Sequence, residues 1–206
     1  MPRPPRVYIP DISEHVFARG INGTAIVRDD YDRKHLLGLI RRVATSLIRV
    51  HAFAIMTTHY HMIVTANGKG QLANAMMRIG IAHTLYFNAK YRRTGTIWNE
   101  RYGATLLDDE RYWYTCLRYV ELNPFRAGMV AAPGDSPWSS YATHALGKPC
   151  DWLTEHPLYT RLGSTPAQRQ EVYRSMCSVP LTDGELAAQR HPPQRKAAIE
   201  LIQIAK

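Results

Sequence analysis

Apolar positions in the first half of the chain change period repeatedly, and each change marks an element. HVFARGINGTAIVRDD, from His15, alternates like a strand and then breaks at Gly20-Ile21-Asn22-Gly23, where the residues favour a turn. DDYDRKHLLGLIRRVATSLIRV opens on acidic residues that suit a helix N-terminus. Leu36, Leu37, Ile40, Val43, Leu47 and Ile48 then recur at helical spacing. Val50–Met56 and Tyr60–Thr65 read as strands joined at Thr57-Thr58, either as a hairpin or as one bent strand. From Gln71 to Tyr91 the period is helical again, with Leu72, Ala75, Met76, Ile79, Leu85 and Tyr86 in one stripe. TIWNERYGATLLDD reads as a strand region interrupted by Gly103. Asp108-Asp109-Glu110 open a further helix, DDERYWYTCLRYVELN, which Pro124 should stop. FRAGMVAAPGDSPWSSY is loop-like, and the remainder of the chain is helical or irregular. The order β-α-β-β-α-β followed by a helix predicts an α+β, ferredoxin-like sandwich with a central antiparallel sheet.

A length of 206 residues fits one good-sized domain with an appendage, or at most two small ones. No apolar run approaches the roughly 18 residues of a membrane span, and the basic leader MPRPPRVYIP lacks the apolar region of a secretory signal. Cys116, Cys150 and Cys177 are odd in number and widely spaced, which suggests reduced thiols and a cytoplasmic location. Charge changes the picture more. The net charge is +9, with +4 in residues 1–66, +4 in residues 67–130 and only +1 beyond, and 20 of the 26 basic residues are arginine. The planar guanidinium suits phosphate oxygens, so a polyanion partner and a merely solvated basic surface both fit this balance.

The candidate chemistry begins at TTHYHMIVT. On a strand, His59 and His61 share one face and Tyr60 points to the other. On the later helix, Tyr119 and Asn123 are four residues apart and share a face, so a phenol nucleophile and an amide metal ligand stand side by side. A divalent cation there would offset charge on a phosphate during in-line attack. Each residue also has an ordinary structural reading: paired surface histidines, a core tyrosine, a helix-ending asparagine. Histidine with an oxygen donor would admit zinc as well.

Motif context narrows these alternatives. MTTHYHMIV resembles the M-x-x-H-x-H-x-x-V strand of the single-tyrosine transposases of insertion sequences and their REP-associated relatives, which are HUH endonucleases. RYVELNPFRAGMV resembles that family's tyrosine helix, commonly R-Y-I-E-x-N-P-V-R-A-G-L-V, and Pro137–Tyr141 (PWSSY) comes after it as in the family. ARGINGTAIVRDD and WNERYGATLL also look familial, so the resemblance spans about residues 13–145. Tyr60 departs from the aliphatic residue usual between the histidines.

The resemblance implies a transposase that cleaves and rejoins single-stranded DNA, with Tyr119 as nucleophile and a 5′-phosphotyrosine intermediate. It implies His59 and His61 as ligands of Mg²⁺ or Mn²⁺, and it places Asn123 where relatives offer a polar third ligand. It further implies a single-stranded DNA partner with hairpin or palindromic structure, and no membrane partner. Monomer and homodimer both stay open, because dimeric relatives can exchange the tyrosine helix between subunits. Arg41, Arg42, Arg92, Arg93, Arg101, Arg111, Arg118 and Arg126 are the candidate phosphate contacts, and Trp98 is either a base-stacking surface or core. Residues 1–145 form the expected nuclease domain, and 146–206 an extension of unassigned role. The runner-up is a non-catalytic basic nucleic-acid-binding protein; a plasmid-type relaxase is weaker, because relaxases usually lack the R-Y-x-E-x-N-P context.

Overall fold

Four strands make one antiparallel sheet in the order β2-β3-β1-β4: β1 (Glu14–Arg19), β2 (Ile48–Ile55), β3 (His59–Ala66) and β4 (Gly103–Leu106). The computed structural model describes residues 8–190 except Thr45, so residues 1–7 of the Pro-rich leader and 191–206 of the extension lie outside the described residues. Helices α1 (Asp30–Ala44) and α2 (Gln71–Tyr91) cover one sheet face, and α3 (Glu110–Glu121) covers the other. The result is the α+β, ferredoxin-like sandwich that the element order predicts. Among the described residues, no helix is long and apolar enough to cross a membrane.

Strand alternation divides the core. Val16 and Ala18 of β1 and Tyr60, Met62 and Val64 of β3 pack under α1 and α2. Tyr60 is therefore buried on the face away from the histidines, as alternation requires, with its ring edge-on to Trp98. On the opposite face, Ala52, Ala54 and Ile63 meet Trp113, Cys116, Leu117 and Val120 of α3. Two alanines on β2 keep that surface low, so the helix can come close. Full burial of Leu117 and Val120 stabilises this layer by about 1.5–3 kcal/mol each.

Three boundaries differ from the periodic pattern. Helix α1 ends at Ala44, because Leu47 folds back to the Val43 carbonyl at 2.9 Å and Ile48 enters the sheet opposite Ala66. The apolar face of α2 runs through Leu72, Ala75, Met76 and Ile79 to His83 and Phe87, leaving Leu85 exposed. Pro124 does not end the helical path. It sits in the first turn of α4 (Asn123–Arg126), where a missing N–H is harmless, and the Arg126 N–H still reaches the Leu122 carbonyl at 2.9 Å. The hairpin alternative holds for β2 and β3, with Thr57-Thr58 between them.

Beyond α4 the chain returns across the outer side of α3 as α5 (Tyr141–Leu146), α6 (Pro157–Thr160), α7 (Pro166–Ser178) and α8 (Asp183–Arg190). Tyr159 and Tyr173 join the α3 core, so this part of the extension is packed into the fold. Glu121 is the polar centre of the contact. Its carboxylate accepts from the Ser140 hydroxyl, from His144 Nδ1 at 2.6 Å and from the Tyr173 hydroxyl at 2.6 Å. Ser140 also accepts from the Phe53 N–H at 2.9 Å, which links the carboxylate to β2.

Removing one donor from this buried carboxylate should show in stability. Tyr173→Phe keeps the ring and deletes the hydroxyl, and should lower the unfolding free energy by about 1.5–3 kcal/mol in urea titrations. A loss below about 0.5 kcal/mol would mean that the network does not hold the extension to α3.

Candidate active site

Odd-numbered residues of β1 and β3 face α3. The register sets Phe17 opposite His61 and Arg19 opposite His59, while His15 lies opposite Ile63 and diagonal to His61. Asp109 caps α3 by accepting from the Tyr112 N–H at 2.7 Å, and the apolar positions of the helix fix its rotation over the sheet. That rotation brings Tyr119 down beside the histidines. Ring centroids lie 5.4 Å apart for His61 and Tyr119, and 5.9 Å apart for His15 and Tyr119. His59 and His61 are 4.9 Å apart and nearly perpendicular. The two predicted histidines and the predicted tyrosine therefore meet in one place.

Local spacing does not reveal His15 as a member of this group. Its Nε2 lies 2.9 Å from His61 Nδ1, and both rings are buried. Only the strand pairing, with β3 beside β1, brings them together. Gly103 of β4 completes the wall: a Cβ there would lie 2.2 Å from the Phe17 ring, so the glycine is what makes room for Phe17 beside His61.

The imidazoles are kept neutral. Burial lowers His15 to about 4, and burial together with His15 and His59 pushes His61 well below its ordinary value. His59 is lowered by burial and by Arg19. Neutral imidazoles are what a metal requires. Two atoms point to a missing partner: His61 Nε2 and Asn123 Nδ2 are buried without a hydrogen-bond partner. Which end of the Asn123 amide carries oxygen is an assignment, and a flip would present the acceptor instead. His59 Nδ1 meets the Thr58 hydroxyl at 3.0 Å, which leaves Nε2 as its other donor position. Among the described residues, no cluster of three or more His, Cys, Asp or Glu side chains forms a metal site, so any ligand set here is two imidazoles plus an amide.

The candidate arginines do not share one surface. Arg126, one helical turn beyond Asn123, holds its guanidinium 5.6 Å from the Tyr119 ring centre. Arg111 borders a shallow groove with Tyr114 and Glu185. Arg41 pairs with Asp151 at 2.6 Å, and Arg93 lies over Phe87. Arg42 and Arg92 are exposed near the ends of α1 and α2. Arg118 is different: it is buried, donates to the Val179 carbonyl and faces Glu185 at 3.9 Å, so its charge serves the fold. Arg101 lines a 520 Å³ cavity with Tyr8, Tyr60, Met76, Trp98 and Tyr102, on the sheet face away from Tyr119. Trp98 donates to the Gly80 carbonyl at 3.1 Å and packs on the core, which is the core reading of that residue.

The sequence model of the family described as "Transposase IS200 like" matches residues 10–123. No curated protein matches the chain. Among solved structures, the chain is similar to a REP-associated tyrosine transposase bound to a REP hairpin. The identity is 16% and the TM-score 0.59, over 77% of this chain and 93% of that one, a level that speaks to fold alone. A bacterial tRNA(His) guanylyltransferase-like protein in complex with GTP shares 15% identity at a TM-score of 0.40, covering 64% of this chain and 74% of its own. The tRNA(His) guanylyltransferase of Saccharomyces cerevisiae shares 10% at 0.42, covering 88% and 84%. Neither of these two carries a functional argument.

Buried neutral histidines have a consequence for stability. Burial lowers His51 to about 3, and His15, His83 and His156 to about 4, from an ordinary value of 6.5. As pH falls through 6.5 the unfolded chain takes up protons that the folded chain refuses, so stability is full above that value and declines toward about 4. Asp32 titrates below this window: burial would raise it, but Lys90, the Arg28 N–H, Tyr91 and Tyr86 bring it down to about 2. The urea midpoint should therefore drop steadily across the window, and a flat midpoint would contradict the buried neutral state.

Proposed function

This chain belongs to the family of IS200-like transposases, and from that membership we propose that it cuts and rejoins single-stranded DNA through Tyr119. The observation that carries the reading is the convergence on one sheet face of His59 and His61 from β3 with Tyr119 from α3, at 5.4 Å between the His61 and Tyr119 rings. The phenolic oxygen of Tyr119 attacks the phosphorus of a DNA phosphodiester. An O–P bond forms, the bond to the 3′ oxygen breaks, and the strand leaves as a 3′-hydroxyl once that oxygen gains a proton. The phosphate stays on Tyr119 as a 5′-phosphotyrosine. A later 3′-hydroxyl reverses the exchange, so one phosphodiester replaces another and no nucleotide triphosphate is needed. Arg126, beside the Tyr119 ring, places positive charge where negative charge builds up in the transition state.

The donors fit a divalent cation. His61 Nε2 and the Asn123 amide are buried without partners, and His59 offers a neutral ring beside them. Mg²⁺ or Mn²⁺ is the ion proposed, held by His59, His61 and the amide oxygen of Asn123. When bound, the ion supplies charge neutralisation on the scissile phosphate. The DNA partner is proposed to be a hairpin or palindrome end with a single-stranded flank. Arg126 and Arg111 lie on the α3 side, and Arg41, Arg42, Arg92, Arg93 and Arg101 lie farther out as phosphate contacts that position without reading sequence.

Covalent chemistry is the direct test. With Mn²⁺ and a labelled single-stranded hairpin, the protein should form an adduct that survives denaturation. Tyr119→Phe should abolish the adduct while DNA binding persists. His59→Ala, His61→Ala and EDTA should each suppress it, and Asn123→Ala should do so less. An undiminished adduct in Tyr119→Phe would falsify the nucleophile, and cleavage persisting in chelator without both histidines would remove the metal site.

Binding tests the partner separately. Across a salt series, a hairpin with a single-stranded flank should bind more tightly than its unpaired strand or a full duplex. Affinity should fall linearly in log–log coordinates as counterions are released. Equal affinity for plain duplex at every salt concentration would favour a generic basic binder.

A further inference from the structure

The hydrogen bond between His15 and His61 has two possible directions, and only one leaves His61 able to bind a cation. Two imidazole nitrogens 2.9 Å apart must share one hydrogen. If His15 Nε2 donates, His61 carries its own hydrogen on Nε2 and cannot be a ligand. If His61 Nδ1 donates, its Nε2 presents a lone pair. The far nitrogens, His15 Nδ1 and His61 Nε2, are both buried without partners among the described residues. In either direction the protein alone leaves one N–H and one lone pair unsatisfied, so the balance between the two is nearly even. A cation at His61 Nε2 breaks the tie.

Resting on the metal-site reading above, we propose that His15 is a positioning residue: it accepts from His61 Nδ1 and so holds the His61 ring with its Nε2 lone pair directed at the cation. His15 is not itself a ligand, because its Nε2 is engaged by His61. Its own ring is fixed by position on β1, by Phe17 at 5.8 Å and by the edge of Tyr119 at 5.9 Å. The arrangement is the common second layer of metal sites, a ligand imidazole donating its other N–H to a fixed acceptor, with a neutral imidazole in place of the usual carboxylate or carbonyl.

Mn²⁺ binding to the full chain without DNA, followed by the electron paramagnetic resonance of the free ion, tests this apart from cleavage. His15→Phe keeps bulk but removes the acceptor, and should weaken Mn²⁺ binding by about 10- to 100-fold. His15→Gln offers an amide oxygen close to where Nε2 lies and should stay near wild type. Long-range ¹H–¹⁵N spectra of the Mg²⁺-loaded wild type should show His61 protonated at Nδ1, a readout that survives even if His15→Phe fails to fold. Wild-type affinity in His15→Phe, equal losses in both variants, or a His61 proton on Nε2 would each overturn the role of His15 alone. Mn²⁺ binding that is untouched by His61→Ala would instead overturn the metal-site reading and the role of His15 with it.

Discussion

The buried carboxylate of Glu121 is the constraint on which the site depends. Withdrawing a carboxylate from water costs several kcal/mol, so it stays ionised inside a protein only where donors surround it. Here the donors come from three separate places: Ser140 before α5, His144 within α5, and Tyr173 on α7. Each contact fixes one more degree of freedom of α3. Tyr119 and Asn123 lie two residues to either side of Glu121, which puts them on the opposite flank of the helix. The same clamp that locks one flank outward therefore presses the other onto the histidines.

The two sheet faces manage polarity in different ways. Under α1 and α2, the buried Asp32 is fully matched by Lys90 at 2.6 Å, the Arg28 N–H and the hydroxyls of Tyr86 and Tyr91. That network is closed, and it staples the start of α1 to the end of α2. Under α3 the sheet carries neutral imidazoles whose outer nitrogens are left without partners. Closed networks hold a fold together, whereas unfilled ones hold room for something else.

Much of this is legible in the chain because it depends on short-range spacing. His59 and His61 share a face through strand alternation, and Tyr119 and Asn123 through helical repeat; neither needs knowledge of the fold. The limits of α2 are readable for the same reason. His15 is invisible because its importance comes from strand order: nothing local says that β1 lies beside β3, or that residue 15 falls diagonal to 61. Arg118 misleads for a related reason. Its charge suggests a phosphate partner, but a segment 60 residues later supplies the Val179 carbonyl and Glu185 that occupy it. Pro124 shows the opposite failure, a strong local rule overridden because the residue falls where a first helical turn has no use for its N–H.

Helix α3 is gripped on both sides, and this limits how two copies of the chain could trade parts. An exchange of α3 alone would strand Glu121 without Ser140, His144 and Tyr173, and Arg118 without Val179 and Glu185. Any swapped piece would have to travel as a block that starts at the Asp109 cap and continues through α8. The short link after β4 would then be the hinge, and every contact among α3, α5, α7 and α8 would move intact. In this chain the nucleophile's helix is thus inseparable cargo: a crossed-over dimer would exchange nearly the whole second half of the protein or nothing.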